Sequence, residues 1–336
     1  MRLENSCLTQ EELILLLNRN WNINVQSSEY IPESTALCRK IISDDGCYFF
    51  KEFQDSYSIS QVTHEHSVCK FLSENNLPVS QILETIHSKP YVIYKNRIFQ
   101  LQRYIEGNVQ KNNTLSLFQI CSSAAELGKI HTLLRNHNLP VLFDQVWFEK
   151  IDETLYQNYY TETLSLIEAA YIPRDYKRQI TDDITFRITL TKNMRKISKA
   201  FCEVTCTPSH GDYIPSQIIF NSTGISGIID WANVHTVPAV WELIRFFCLA
   251  AKDVYDIDLL MEYIITYMQY AKLTKLDLKN IPYIYAYYMG RNRFLYREYL
   301  KTLRYEDYYD SHRKADLCRF YYENAESIAK RLQQTL

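Results

Sequence analysis

The stretch PSHGDYIPSQIIFNSTGISGIIDWANV, Pro208–Val234, sets Asp212 just before one short apolar run and Asp230 at the end of the next. If residues 218–220 and 226–229 pair as a hairpin, the two carboxylates lie near the same end. Two carboxylates converging on one site suit a metal–phosphate reaction. One would bind Mg²⁺, which prefers a carboxylate or two plus phosphate oxygens. The other would accept or orient the proton of an attacking hydroxyl. Taken singly, each Asp reads as a turn cap at a strand end, and His-Gly-Asp arises by chance. The ordered set is what points to chemistry. His210 reads as a packed, hydrogen-bonded structural residue rather than a catalyst.

Such a pair needs a scaffold, and the rest of the chain supplies two unlike halves. Thr9 and Glu12 form a capping-box pattern that opens a helix through about Asn18. EYIPESTALCRKIIS reads as strand, loop, strand, and Asp44-Asp45-Gly46 as a turn into the strand CYFFKEF. SQVTHEHSVCKFLSENN is a helix with Val62, Val68, Phe71 and Leu72 near one face. PYVIYKNRIFQLQRYIEG is a hairpin turning at Lys95-Asn96. From about Leu115 the pattern is mostly helical, with helices expected at about 238–252, 256–272, 281–300 and 310–334. The organisation expected is residues 1–102 as a β-rich lobe, 103–108 as a hinge, and 109–336 as a helical lobe with the hairpin embedded in it.

Composition narrows the class. With 336 residues and 46% hydrophobic content, the chain can build two cored lobes. A net charge of −2 without a single-sign block gives no nucleic-acid footprint, so no nucleic-acid partner is expected. No apolar stretch is long enough to span a bilayer, and no membrane partner is expected. Glu4, Glu11 and Glu12 interrupt what a secretory segment would need to keep apolar. The nine cysteines are odd in number and scattered, and Cys202 and Cys206 lack a second pair to complete a zinc site. Reduced thiols in the cytoplasm are the expectation.

His210-Gly211-Asp212, then Gln217-Ile218-Ile219-Phe220, then Gly227-Ile228-Ile229-Asp230-Trp231 resembles the H-G-D-x-x-x-x-N … I-D-[FW] signature of the aminoglycoside phosphotransferase/choline kinase superfamily. VHTVPAVWELIRFF is similar to the stretch that follows the metal Asp there, with Glu242 as its acidic residue. Lys51 in CYFFKEF, Glu65 in THEHSVCKFL, NNLPVSQIL, LQRYIEG and AAELGKIHTL extend the likeness over roughly residues 20–250.

The resemblance implies an α+β, protein-kinase-like bilobal fold: a small antiparallel N-lobe sheet and a larger, mostly helical C-lobe. It implies an ATP- or GTP-dependent kinase that moves the γ-phosphate to a hydroxyl of a small molecule such as an aminoglycoside, amino alcohol or sugar. Asp212 would be the catalytic base, Asp230 the principal Mg²⁺ ligand and Gln217 a second ligand. Lys51 would contact the donor phosphates, held by Glu65. The nucleotide would lie along the hinge at Gln102 and Tyr104, with backbone N–H groups near Ser34 meeting phosphate.

Two departures qualify the match. The nucleotide loop YIPESTALCRK has no glycine, and Gln217 replaces an Asn with a side chain one methylene longer. The rival reading is a kinase-fold binding protein with impaired catalysis, as among spore-coat members of the superfamily. A protein kinase proper fits less well, because the glycine loop, DFG triplet and Ala-Pro-Glu segment are absent. For the acceptor, Glu153, Glu162, Glu262, Asp307 and Asp310 are candidate amine-binding acids, and Tyr283, Tyr287 and Tyr288 a candidate cation–π wall.

Overall fold

The computed structural model describes residues 5–31, 36–136, 142–143 and 152–336. Helix α1 (Gln10–Trp21) opens with the expected capping box, Thr9 with Glu12, and ends at Asn22 in the left-handed region. Strands β1 (Val25–Ile31), β2 (Leu37–Ser43) and β3 (Gly46–Glu52) follow, then helix α2 (Ile59–Glu74). Three more strands complete the sheet: β4 (Ile82–Leu83), β5 (Val92–Tyr94) and β6 (Arg97–Arg103). All of its pairings are antiparallel, in the order β1-β2-β3-β6-β4, with β5 also paired to β6. Lys95 and Asn96, both at positive φ, form the β5–β6 turn, as a tight hairpin between right-twisted strands requires.

The two faces of this sheet differ in kind. Tyr48, Phe50, Phe99 and Leu101 pack under Leu13, Leu16 and Leu17 of α1 in one small core. Alternation along β3 therefore sends Lys51 to the opposite face, toward α2.

Beyond β6 the chain turns helical. Strand β7 (Asn108–Val109) leads to α3 (Leu117–Arg135), strand β8 (Leu142–Phe143), and the pair α4 (Glu153–Ala169) and α5 (Arg174–Ser198). Strand β9 (Cys206–Ser209) enters the motif region. The hairpin of β10 (Ile218–Asn221) and β11 (Gly224–Ile228) and strand β12 (His235–Pro238) complete it. Helices α6 (Ala239–Ala250), α7 (Ile257–Met268), α8 (Lys275–Gly290), α9 (Arg297–Thr302), α10 (Tyr305–Glu323) and α11 (Ala325–Leu332) finish the chain. One large core joins α2, α3, the hairpin and α6 through α8.

Two C-terminal helices expected as continuous are each divided. The helix expected over 281–300 instead starts at a capping box of Thr274 with Asp277, runs through Pro282, and stops at Gly290 before α9. Proline suits a helix start, but here it sits inside one. The helix expected over 310–334 breaks at Asn324.

The two halves are tied close to the hairpin. Ile228 N donates to Pro78 O at 2.7 Å, and Ser80 N to Ile228 O at 3.3 Å. Strand β7 pairs with β10, so the chain leaving the sheet docks on the hairpin at once. Gly107 permits this: at φ +140°, a Cβ there would stand 2.5 Å from Phe220 O.

Candidate active site

Lys51 sits between two acids. Its Nζ lies 3.6 Å from Glu65 Oε1 on α2 and 3.1 Å from Asp230 Oδ1 at the end of the hairpin. Lys51 and Glu65 are buried, while Asp230 keeps a partly open edge. Burial alone would push the Lys51 ammonium down, but Glu65 and Asp230 together outweigh it and raise its pKa. For Glu65 burial dominates and raises the carboxyl pKa. For Asp230 burial pulls upward, yet the Lys51 ammonium prevails and lowers it. The arrangement keeps one cation and at least one anion charged in a desolvated cleft, where a pair interacts strongly.

Asp212 is held from a different direction. Arg245 Nη2 on α6 donates to Asp212 Oδ1 at 2.6 Å, with both side chains about a quarter exposed. One turn earlier on the same helix, buried Glu242 accepts from the Tyr213 N–H at 3.4 Å and from the Ser209 hydroxyl. Helix α6 therefore grips the turn carrying Asp212 at three points. Behind it, His131 of α3 contacts Ser209 Oγ and meets Tyr267 Oη at 2.8 Å. Burial, with a smaller push from Arg135, lowers the His131 pKa to about 3, so the ring is neutral.

His210 links the two Asp residues. Its Nδ1 accepts from the Asp212 N–H at 3.2 Å, and its Nε2 meets the carbonyl of Ile229, the residue before Asp230, at 2.9 Å. One acceptor and one donor nitrogen define the neutral Nε2–H tautomer. Its ring leans on Trp231, with centroids 4.5 Å apart. Gly211 is obligatory between them: at φ +84° its Cβ would fall 1.9 Å from Asn233 O.

Gln217 closes the short turn Pro215–Gln217 ahead of β10. Its carbonyl accepts from Ile229 N at 3.0 Å, which sets it beside the residue preceding Asp230. Among the described residues, no three His, Cys, Asp or Glu side chains cluster into a metal site. An ion that draws half its ligands from substrate phosphates needs only Asp230 and an amide oxygen from the protein, so the donor set fits Mg²⁺.

The sheet supplies the remaining sequence-chosen residues. Gln102 is buried next to the end of β6, and Tyr104 donates its N–H to Cys47 O at 3.1 Å. Lys40 Nζ lies 4.1 Å from the Tyr104 ring centroid. Ser34 lies outside the described residues.

Several candidate acceptor-binding acids are engaged elsewhere. Glu162 pairs with Arg297, Asp307 with Arg304 and Asp310 with Lys314. Tyr287 is a core residue, whereas Tyr288 is partly open and lies 3.9 Å, centroid to centroid, from Trp241. Arg245, on the helix of Glu242, is a site residue that the sequence did not single out. The signal for it was its place at the end of the acidic-Leu-Ile-Arg run that Glu242 begins.

The fold and the cleft define a protein-kinase-like α+β protein of two lobes. The chain belongs to the phosphotransferase enzyme family, whose model matches residues 39–278. No curated protein sequence matches it. Among solved structures it is similar to an aminoglycoside phosphotransferase from Alicyclobacillus acidocaldarius subsp. acidocaldarius DSM 446. That match has a TM-score of 0.70, 10% identity, and 98% of each chain covered. It is also similar to the spectinomycin phosphotransferase APH(9)-Ia in complex with ADP and spectinomycin (TM-score 0.65, 15% identity, 98% of this chain and 100% of that one). A third likeness is to the amicoumacin kinase hAmiN in complex with AMP-PNP, Ca²⁺ and Ami (TM-score 0.66, 12% identity, 95% and 94% covered). At such identities the likeness concerns the fold. Among the described residues, no helix is long and apolar enough to cross a membrane.

Proposed function

We propose that the protein transfers the γ-phosphate of a purine nucleoside triphosphate, ATP or GTP, to a hydroxyl of a small molecule. The single observation that carries this reading is Lys51 bridging Glu65 and Asp230 while His210 ties Asp230 to the turn of Asp212. In this reading those contacts would gather a phosphate-binding cation, a metal-binding carboxylate and a base in one cleft.

Lys51 would hold the donor phosphates, with Glu65 fixing its ammonium. Asp230, joined by the Gln217 amide oxygen, would hold Mg²⁺, which when bound neutralises charge on the phosphates. Asp212 would take or orient the proton of the acceptor hydroxyl through Oδ2, since Arg245 occupies Oδ1. The protein's work is then positioning and charge neutralisation, which dominate catalysis of this reaction.

The acceptor is a small hydroxyl compound. Structural neighbours named for spectinomycin, amicoumacin and aminopropanol support that class without choosing among its members. A screen of Mg²⁺-dependent phosphate transfer over amino alcohols, aminoglycosides and sugars tests the proposal.

A further inference from the structure

One face of α4 carries tyrosines on consecutive turns. Tyr156, Tyr159 and Tyr160 stand three and four residues apart, so they share a side of the helix. Arginines gather along it. Arg291 Nε donates to Tyr156 Oη at 3.1 Å. Arg297 and Arg293 lie over the Tyr159 ring, 3.9 Å and 5.4 Å from its centroid. Arg187 of α5 and Tyr160, both buried, donate to the adjacent carbonyls of Met289 and Gly290 at the end of α8.

The acids nearby do not match these cations. Arg297 pairs with Glu162. Asp183 attracts Arg187 but is shared with Tyr296, His312 and Arg319. Nε and Nη2 of Arg187 are buried with no hydrogen-bond partner. Arg293 is exposed, and among the described residues no carboxylate lies within ion-pair range of it. A guanidinium stacked on a tyrosine face is held in place while its edge N–H groups stay open to a planar anion.

Aromatic contacts carry this wall back to the turn of Asp212. Trp241 lies one turn before Arg245 on α6, the residue that holds Asp212, so the two side chains share a face. The Trp241 ring packs 3.9 Å, centroid to centroid, from Tyr288, which stands three residues before Arg291 at the end of α8. Granted the phosphotransferase reading, we infer that the arginine–tyrosine wall binds a carboxylate or phosphate group carried by the acceptor. Three acids that could have seated an amine, Glu162, Asp307 and Asp310, are already paired with arginine or lysine. Guanidinium forks pair bidentately with carboxylate and phosphate, so an acceptor bearing such a group is favoured over its uncharged or amine counterpart by about tenfold or more.

Calorimetric titration of the full chain loaded with Mg²⁺ and AMP-PNP tests this without phosphate transfer. Matched probes differ in the anion: gluconate against sorbitol and serine against ethanolamine for a carboxylate, glucose 6-phosphate against glucose for a phosphate. The anionic member of at least one pair should bind at least about tenfold tighter. Arg293→Gln, at an exposed position, should remove that preference, and Arg293→Lys should keep part of it. Lys70→Gln, which removes an exposed cation on α2, should leave the preference in place and so separate the wall from net charge. Equal or weaker binding of the anionic member in every pair, or a preference that survives Arg293→Gln, overturns the inference. Phosphate transfer from ATP to the sorbitol, ethanolamine or glucose arms alone would overturn it too, and leave the phosphotransferase reading standing. An Arg293-dependent anion preference in a chain that transfers phosphate to none of the probes would uphold the wall and count against the phosphotransferase reading alone.

Discussion

Arg245 Nη2 lies 2.6 Å from Oδ1 of Asp212, from a helix whose Glu242 also holds the neighbouring backbone and serine. The contact occupies one carboxylate oxygen and fixes the plane of the other. Arg245→Ala should leave nucleotide affinity unchanged and lower turnover about ten- to a hundredfold, the scale of a misplaced reacting group. Arg245→Lys should recover part of the loss, since lysine restores charge without the rigid fork. Steady-state kinetics decides this, and an Arg245→Ala enzyme as fast as the parent would remove the pair from the mechanism.

Lys51 and Glu65 should behave as one unit. Lys51→Ala should weaken nucleotide binding, and adding Glu65→Ala should cost little more, because neighbours in a network couple by about 0.5–3 kcal/mol. A double-mutant cycle of nucleotide affinity that came out fully additive would argue against the contact.

Gln217 carries an amide oxygen on a longer stem than the family's Asn. Mg²⁺ demands near-ideal octahedral geometry, so the extra methylene should loosen this ligand. Mn²⁺ should then support nucleotide binding as well as Mg²⁺ does. Gln217→Asn should raise metal affinity or leave it unchanged, and Gln217→Ala should lower it. Metal titrations in the presence of nucleotide separate these cases. A Gln217→Ala protein that binds metal–nucleotide as well as the parent does would exclude the side chain as a ligand.

His131 makes stability depend on pH. Its folded pKa, about 3, lies below the ordinary 6.5 because the ring is buried. Between those values the unfolded chain binds more protons than the folded one, so stability falls as pH falls, by up to about 1.4 kcal/mol per pH unit. Above pH 6.5 the effect is fully expressed and flat. Urea denaturation from pH 7.5 to 5 should register this slope, and His131→Gln should flatten it at some cost in stability at neutral pH. An unchanged slope would assign the acid sensitivity to other groups.

The sheet, its hairpin turns and the first helix were legible in the sequence because local rules fix them. The Thr9–Glu12 capping box, the Asp44–Gly46 turn and the Lys95-Asn96 turn each act within a few residues. Asp212 and Asp230 stood out from their places around the hairpin, and the family resemblance added Lys51, Glu65 and Gln217. Arg245 escaped because its contact with Asp212 spans 33 residues and depends on how α6 packs. The sheet β8-β12-β9 escaped because its strands are of four residues or fewer, too short for an alternation to register. Helix α8 starts ahead of the expected position because its capping box opens it at Lys275 and it runs on through Pro282.

The central claim is that Asp212 and Asp230 serve phosphate transfer. The direct measurement follows the label from γ-³²P-ATP and γ-³²P-GTP into a panel of amino alcohols, aminoglycosides and sugars, with the parent, Asp212→Asn and Asp230→Asn. The parent should label at least one acceptor in a Mg²⁺-dependent manner. Asp212→Asn should keep nucleotide binding and lose at least about a hundredfold in turnover, the scale of a lost general base. Asp230→Asn should lose the dependence of nucleotide binding on metal. A parent protein that labels nothing across the panel and binds nucleotide equally with and without Mg²⁺ would contradict the account and leave a kinase fold kept for binding alone.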